Sequence, residues 1–527
     1  MTSPAPIHHY PPQLVEAAAA MHAERLDVAE RILKPYLKDD PFDVRAIRML
    51  AELAARIGRL KDSEALLRRA LEIDPNFTAA RTNLAMVLGR LARPAEALEL
   101  LDEIFAADPH GPGNLNLKAA TLGRLGDFEQ ALEIYERVLA RTPNQPRVQM
   151  TYGHMLKTVG RLDESVAAYR QAIAINPAMG EAWWSLANLK TVRFTDEDIA
   201  AMERTLERGD LKDDDRFHVE FALGKAFHDL GRSGDAFGHY EAGNALRRRY
   251  HPYNIGRLTQ LVDRVIEQFT EEVLAQPGGN PAGDPIFIVG MPRAGSTLVE
   301  QILSSHSQVE GTSELPDIPA IVSGLGKYPA EILTLGPDER RAAGDDYLRR
   351  SAVQRRTDRP FFTDKLPNNW IFVPFIQLIL PNAKIVDARR HPLSCCFSNF
   401  RQHFARGQDF TYDLADLGLY YAQYVRLMAH IDRVMPGRVH RVIYERMVDD
   451  SETEIRALLD YCALPFESGV LEFHKTERAI RTPSAEQVRQ PIYRQGTEEW
   501  RPYEQFLGPL KAALGPTLDA YPAAPAT

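Results

Sequence analysis

The sequence predicts an N-terminal all-α solenoid followed by a C-terminal α/β domain built on a parallel sheet. Three observations carry this. Pro41, Pro75, Pro109, Pro143 and Pro177 stand 34 residues apart each time. A Pro/Gly-rich run, Ala275-Gln-Pro-Gly-Gly-Asn-Pro-Ala-Gly-Asp-Pro285, then punctuates the chain. Beyond it, short β-branched runs alternate with helical stretches, the pattern of strands covered on both faces by helices.

In the first half, two further columns keep the 34-residue step: small residues at Ala29, Ser63, Ala97, Ala131 and Ser165, and turn residues at Gly58, Ala92, Gly126 and Gly160. The period is that of the tetratricopeptide repeat, a pair of amphipathic helices. The Gly column lets the chain turn between the two helices, and the small column lets them approach. The proline closes the second helix, which it cannot continue. A looser sixth unit covers about 180–215, and a seventh runs through Phe221–Phe237. Terminal repeats are expected to degenerate where an array must cap its apolar face. The concave face of such an array suits a peptide or protein partner. The sequence expectation is therefore a solenoid over 1–250, a helical connector and Pro/Gly linker over 251–284, and a catalytic α/β domain over 285–520.

Composition sets outer limits. The chain has 527 residues, 44% apolar and 26% charged, with a formal net charge of −9. That balance supplies no global basic field for nucleic acid or an anionic membrane, so an anionic ligand needs a local cluster. Cys395, Cys396 and Cys462 are too few and badly spaced for a disulfide framework or structural zinc site, and no metal is expected. The first residues lack the basic and apolar segments of a signal peptide, and no window approaches a membrane span. The expectation is a cytoplasmic protein.

In the second half, candidate strands are Ile286–Val289, Phe361–Thr363, Lys384–Ala388 and Arg438–Tyr444, with helices over 296–305, 369–379, 392–404, 413–435 and 451–463. The first strand ends at Gly290, a turn carries Pro292, Arg293, Ala294 and Gly295, and a helix begins at Ser296-Thr297. Strand, Gly-bearing loop and helix form an anion cradle of loop N–H groups and unpaired first-turn donors. Gly290 and Gly295 are spaced as in the P-loop G-x-x-x-x-G-K-[ST], but Ser296 occupies the lysine position. The loop thus reads as built for a 5′-phosphate without a triphosphate tail. A second strand delivers Arg390, Pro392 starts a helix, and Ser398 lies two turns in, placed to clamp a second phosphate.

Pro292-Arg-Ala-Gly-Ser-Thr297, Arg390 with Ser398, Thr363-Asp-Lys-Leu-Pro367, Val442-Ile-Tyr-Glu445 and Ser484-Ala-Glu-Gln-Val-Arg-Gln-Pro-Ile492 together resemble the sulfotransferase family, most closely its tyrosylprotein sulfotransferase-like branch fused to tetratricopeptide repeats. The resemblance implies a P-loop-like domain that binds 3′-phosphoadenosine 5′-phosphosulfate and transfers its sulfuryl group to a hydroxyl without a metal. It implies Glu314 as general base, with Lys365 and Arg293 at the developing charge. Residues 292–297 would hold the 5′-phosphosulfate and Arg390 with Ser398 the 3′-phosphate, while Arg401, Tyr444 and Ser484 would make further donor contacts. It also makes a homodimer an expectation. The chain departs from that branch at Leu315-Pro316, where the branch has a substrate-holding arginine, and at Glu499, where it has a lysine. Protein tyrosine, a sugar hydroxyl and a small phenol stay open as acceptors. The rival readings are a P-loop-like kinase or NTPase regulated by its repeats, and a catalytically dead repeat adaptor.

Overall fold

The computed structural model describes residues 11–91, 93–107, 112–404, 407–476, 488–492 and 497–525. The chain forms two compact units, Met1–Lys157 with Leu162–Ala168, and Thr158–Arg161 with Tyr169–Thr527.

The described residues of the first unit form helices in consecutive pairs, such as Val44–Arg56 with Leu60–Ile73 and Pro112–Leu125 with Phe128–Arg141. The repeat columns do what their chemistry dictates. Ala29, Ser63, Ala97, Ala131 and Ser165 are fully buried. The two serines spend their hydroxyls on the facing helix, Ser63 donating to the Ala51 carbonyl at 2.7 Å and Ser165 to the Gly153 carbonyl at 2.9 Å. Gly58, Gly126 and Gly160 adopt φ of +84°, +87° and +88°, a left-handed turn that a side chain would strain. The helices Leu26–Asp39, Leu60–Ile73, Phe128–Arg141 and Leu162–Ile175 each stop two residues before the column proline. Pro109 and Ala92 lie outside the described residues.

The second unit opens with the helices Gly180–Ala187, Asp196–Leu206, Asp213–Asp229 and Ser233–Tyr250. The last of these packs directly on the α/β part of the same unit. The Phe237 ring stacks on Phe400 at 5.7 Å and Phe506 at 4.6 Å, Asn244 donates to the Phe400 carbonyl at 2.7 Å, and Arg248 pairs with Asp416 at 3.0 Å. Compactness therefore divides the chain within the fifth repeat, whereas composition changes at the Pro/Gly run.

The sheet has five parallel strands, β1 (Pro285–Gly290), β2 (Val309–Ser313), β3 (Phe361–Asp364), β4 (Lys384–Arg389) and β5 (Val439–Ile443), in the order β2-β3-β1-β4-β5. Strand β1 is buried throughout. Ile286 and Ile288 pack with Ile302, Leu303 and Val386, while Phe287 meets Tyr347 of helix Pro337–Ser351 at 5.2 Å. Strand β2 is an addition to the sequence expectation. It holds a single apolar residue, pairs only with β3 and carries an irregularity at Gly311–Ser313, so no apolar run announces it. Helices Asp317–Leu325 and Pro337–Ser351 are also additions. The expected 369–379 helix begins as a 3₁₀ segment, Pro367–Phe372, before turning α at Val373. Among the described residues no helix is long and apolar enough to cross a membrane.

Candidate active site

A parallel sheet aligns the carboxyl ends of all its strands on one edge, where ligands of such folds bind. Each strand here delivers one of the sequence-derived site groups to that edge. Glu314 follows β2, Lys365 follows β3, the 291–295 loop follows β1, Arg390 follows β4, and Tyr444 follows β5.

The loop is shaped by two glycines under real constraint. Gly290 has φ +138°, and a Cβ there would sit 2.3 Å from the Ala388 carbonyl of β4; Gly295 has φ +100°, and its Cβ would sit 2.8 Å from the Tyr444 ring. Arg293 is left-handed as well, φ +66°. Gly295 caps helix Ser296–Ser304 without a side-chain hydrogen bond, and the first turn of that helix, Ser296, Thr297 and Leu298, lies at the cavity wall. The loop is fastened to helix Pro392–Phe400: Asn399 donates to the Pro292 carbonyl at 2.8 Å, and the Cys395 thiol lies 3.4 Å from the same oxygen. Ala294 is buried. Cys395 and Cys396 are fully buried, and burial pushes the Cys395 thiol up to about 12, which suits packing and not nucleophilic chemistry.

Arg293, Gly295, Ser296, Thr297, Arg390, Ser398, Arg401 and Tyr444 line one cavity, closed by Val488, Gln490 and Ile492. Within it Arg293 donates to the Ser398 hydroxyl at 3.2 Å, Arg390 donates to the Arg293 carbonyl at 3.2 Å, and the Arg390 guanidinium lies 4.8 Å from the Tyr444 ring centre. The expected 5′ and 3′ phosphate residues thus share one wall. Arg401, at the end of helix Pro392–Phe400, pairs with Glu499 and donates to His228 Nε2 at 3.0 Å. Because guanidinium only donates, Nε2 accepts and the His228 proton sits on Nδ1, which donates to the Tyr503 hydroxyl at 2.7 Å. Burial together with the charge of Arg401 holds His228 down at about 3.

Lys365 and Glu314 form an ion pair, Lys365 almost fully buried and Glu314 48% exposed. A carboxylate open to an incoming hydroxyl therefore stands beside a fixed cation. The Lys365 backbone N–H donates to the Ser313 carbonyl at 3.1 Å, which ties β3 to the residue before Glu314. Arg293 turns toward Ser398. Ser484 lies outside the described residues. Asn368 donates to Gln408 at 3.3 Å. His391 stacks on Trp500 at 5.8 Å with its backbone N–H on Glu445, a packed position. Lys190, Arg193, Lys225 and His228, which line a chamber beside the cavity, carry no sequence signal. They lie between 65 and 211 residues from Arg293 and Arg401 in sequence and fit no motif.

Comparison with known proteins agrees with this architecture. Residues 285–468 match the model of a sulfotransferase family, and tetratricopeptide-repeat models match residues 20–87, 54–120, 90–155 and 146–179. An uncharacterized protein of Aquifex aeolicus (strain VF5) is 35% identical over 353 residues, covering 64% of this chain; the match spans 46% of that relative, less than half its length. A candidate protein-tyrosine sulfotransferase of Caenorhabditis briggsae is 22% identical over 223 residues, 41% of this chain and 80% of that protein. Among solved structures, a thermophilic TPR protein of Thermus thermophilus is similar over 34% of this chain and 98% of its own, at 24% identity and a TM-score of 0.30. MamA of Desulfovibrio magneticus RS-1 is similar over 32% and 94%, at 15% identity and a TM-score of 0.29.

Proposed function

Because the chain joins tetratricopeptide repeats to a sulfotransferase-family domain, we propose that it moves a sulfuryl group from 3′-phosphoadenosine 5′-phosphosulfate to an acceptor hydroxyl. The observation that carries the reading is the shared wall of Ser296–Thr297, Arg390 and Ser398, two groups of a kind that suit oxyanions, with serine where a triphosphate-binding loop needs lysine. The residues fit the donor, since a helix N-terminus with two hydroxyls suits the 5′ end and an arginine with a hydroxyl suits the 3′-phosphate. The donor supplies the activated sulfuryl group. Glu314 takes the acceptor proton, and Lys365 neutralises charge as it collects on the leaving oxygen. Transfer should be in-line and loose like its phosphoryl relative, so positioning and electrostatics carry most of the rate. The acceptor is a protein tyrosine, in keeping with the Caenorhabditis briggsae relative, and the repeats bind its polypeptide or a partner. We place the activity in the cytoplasm.

Two measurements test this. Adenosine 3′,5′-bisphosphate should raise the melting temperature more than ATP with Mg²⁺; at ~100 times its dissociation constant a ligand adds about 2.7 kcal/mol. A greater response to ATP supports an NTPase, and a response to neither supports an adaptor. Transfer of labelled sulfate to tyrosyl peptides, saccharides and small phenols then identifies the acceptor, and tyrosyl peptides should be the best.

A further inference from the structure

Beside the donor cavity lies a second chamber of about 620 Å³, against about 80 Å³ for the first by the same measure. The two share Arg293, Ser398, Arg401, Gln490 and Glu499 as walls. Most of the remaining lining comes from residues 184–240, the expected sixth and seventh repeats, which contribute Lys190, Arg193 and Lys225. Among the described residues, five Lys and Arg side chains line it against two carboxylates, Asp229 and Glu499. Those two are already engaged. Asp229 serves both Lys225 and, at 3.1 Å, Arg193, while Glu499 pairs with Arg401. Lys190 donates to Gln402 at 2.9 Å and lies 5.7 Å from the Trp184 ring centre. The chamber carries excess positive charge at the end of the donor cavity marked by Ser398 and Arg401.

The backbone points the same way. Among the described residues, four that are not glycine have positive φ, and two of them, Lys190 at +67° and Arg293 at +66°, line this chamber. A side chain in that region is strained, and such strain clusters at functional sites. Glycine would relieve it at Lys190 but would remove the ammonium.

We propose that the repeats complete the donor site: Lys190 and Arg193, with Lys225 behind them, form the far wall of the 3′-phosphate subsite and make the enzyme select nucleotides phosphorylated at the 3′ position. The proposal rests on the sulfotransferase reading of the cavity. It assigns to the helical repeats a share in nucleotide selection, beside any partner they hold.

The test is calorimetric titration of the full chain with adenosine 3′,5′-bisphosphate and with adenosine 5′-monophosphate. A Lys190→Ala/Arg193→Ala double variant should lose about tenfold or more in affinity for the bisphosphate, the scale of one charge-assisted hydrogen bond, and under twofold for the monophosphate. Arg193 is largely exposed, so the Arg193→Ala single variant will fold and should show part of the same selective loss. Restoring the charges as Lys190→Arg/Arg193→Lys should recover most of the selectivity. Equal weakening for the two nucleotides, or no weakening, overturns the proposal. If the unaltered protein binds the bisphosphate but the double variant matches it, only the role of the repeats falls. If the unaltered protein does not bind the bisphosphate, the donor assignment falls with it.

Discussion

Arg389 and Arg390 are adjacent, yet the sheet gives them different work. Arg389 is almost fully buried and bonds Asp387 at 3.0 Å and the Tyr424 hydroxyl at 3.4 Å, an arrangement that Arg441 reinforces from β5 at 2.9 Å. Arg390, one residue beyond the end of β4, lines the cavity instead. Arg390→Ala should weaken adenosine 3′,5′-bisphosphate by about tenfold or more and spare adenosine 5′-monophosphate, as titration of both ligands would show. An equal loss for both would remove Arg390 from the 3′-phosphate. Glu314→Gln should leave bisphosphate affinity intact and cut turnover ~10²–10⁴-fold, the usual worth of a general base. Unchanged turnover in a labelled-sulfate assay would take Glu314 out of the mechanism.

At the scale of elements, the loop between β1 and helix Ser296–Ser304 depends on close backbone approach and on one amide. Asn399→Ala deletes bonds to the Pro292 and Cys395 carbonyls inside a buried helix, which should cost about 1–3 kcal/mol in urea unfolding and loosen bisphosphate binding. Stability within error of the parent would mean that the loop is held by other contacts. Much of this element is legible in the sequence, because Gly290, Gly295, Ser296 and Pro392 declare their conformations through local chemistry. Strand β2 is not, since Val-Glu-Gly-Thr-Ser has neither alternation nor an apolar run and becomes a strand only because β3 offers it an edge. Glu314 is found without β2, through the family resemblance of its surroundings. The wall supplied by Lys190, Arg193 and Lys225 is illegible for a different reason: only tertiary packing brings it to Ser398.

For the whole molecule, the second compact unit predicts where the chain tolerates cutting. A chain beginning at residue 251 would uncover the faces of Phe400 and Phe506 that Phe237 covers and would lose the Arg248–Asp416 pair. It should aggregate or melt well below the full chain in a thermal scan, and equal melting would refute the integration of the repeats. Protons probe the same packing. His403, seated against the Phe217 ring at 4.9 Å, is held down at about 2 by burial, and His228 at about 3. Below the ordinary histidine range near ~6.5, the unfolded chain takes up protons that the folded chain refuses. Their contribution is therefore complete above that range and fades as pH falls, by up to about 1.4 kcal/mol per pH unit for each ring. The urea midpoint should drop between pH 7 and 5, and His403→Phe should flatten the drop; identical slopes would show the ring titrating freely. The strand order has a last consequence. On the proposed reading, the proton-handling groups follow β2 and β3, and the nucleotide-gripping groups follow β1, β4 and β5. Lesions on opposite flanks should multiply as independent penalties, so acceptor preference can drift on one side while donor recognition is inherited unchanged on the other.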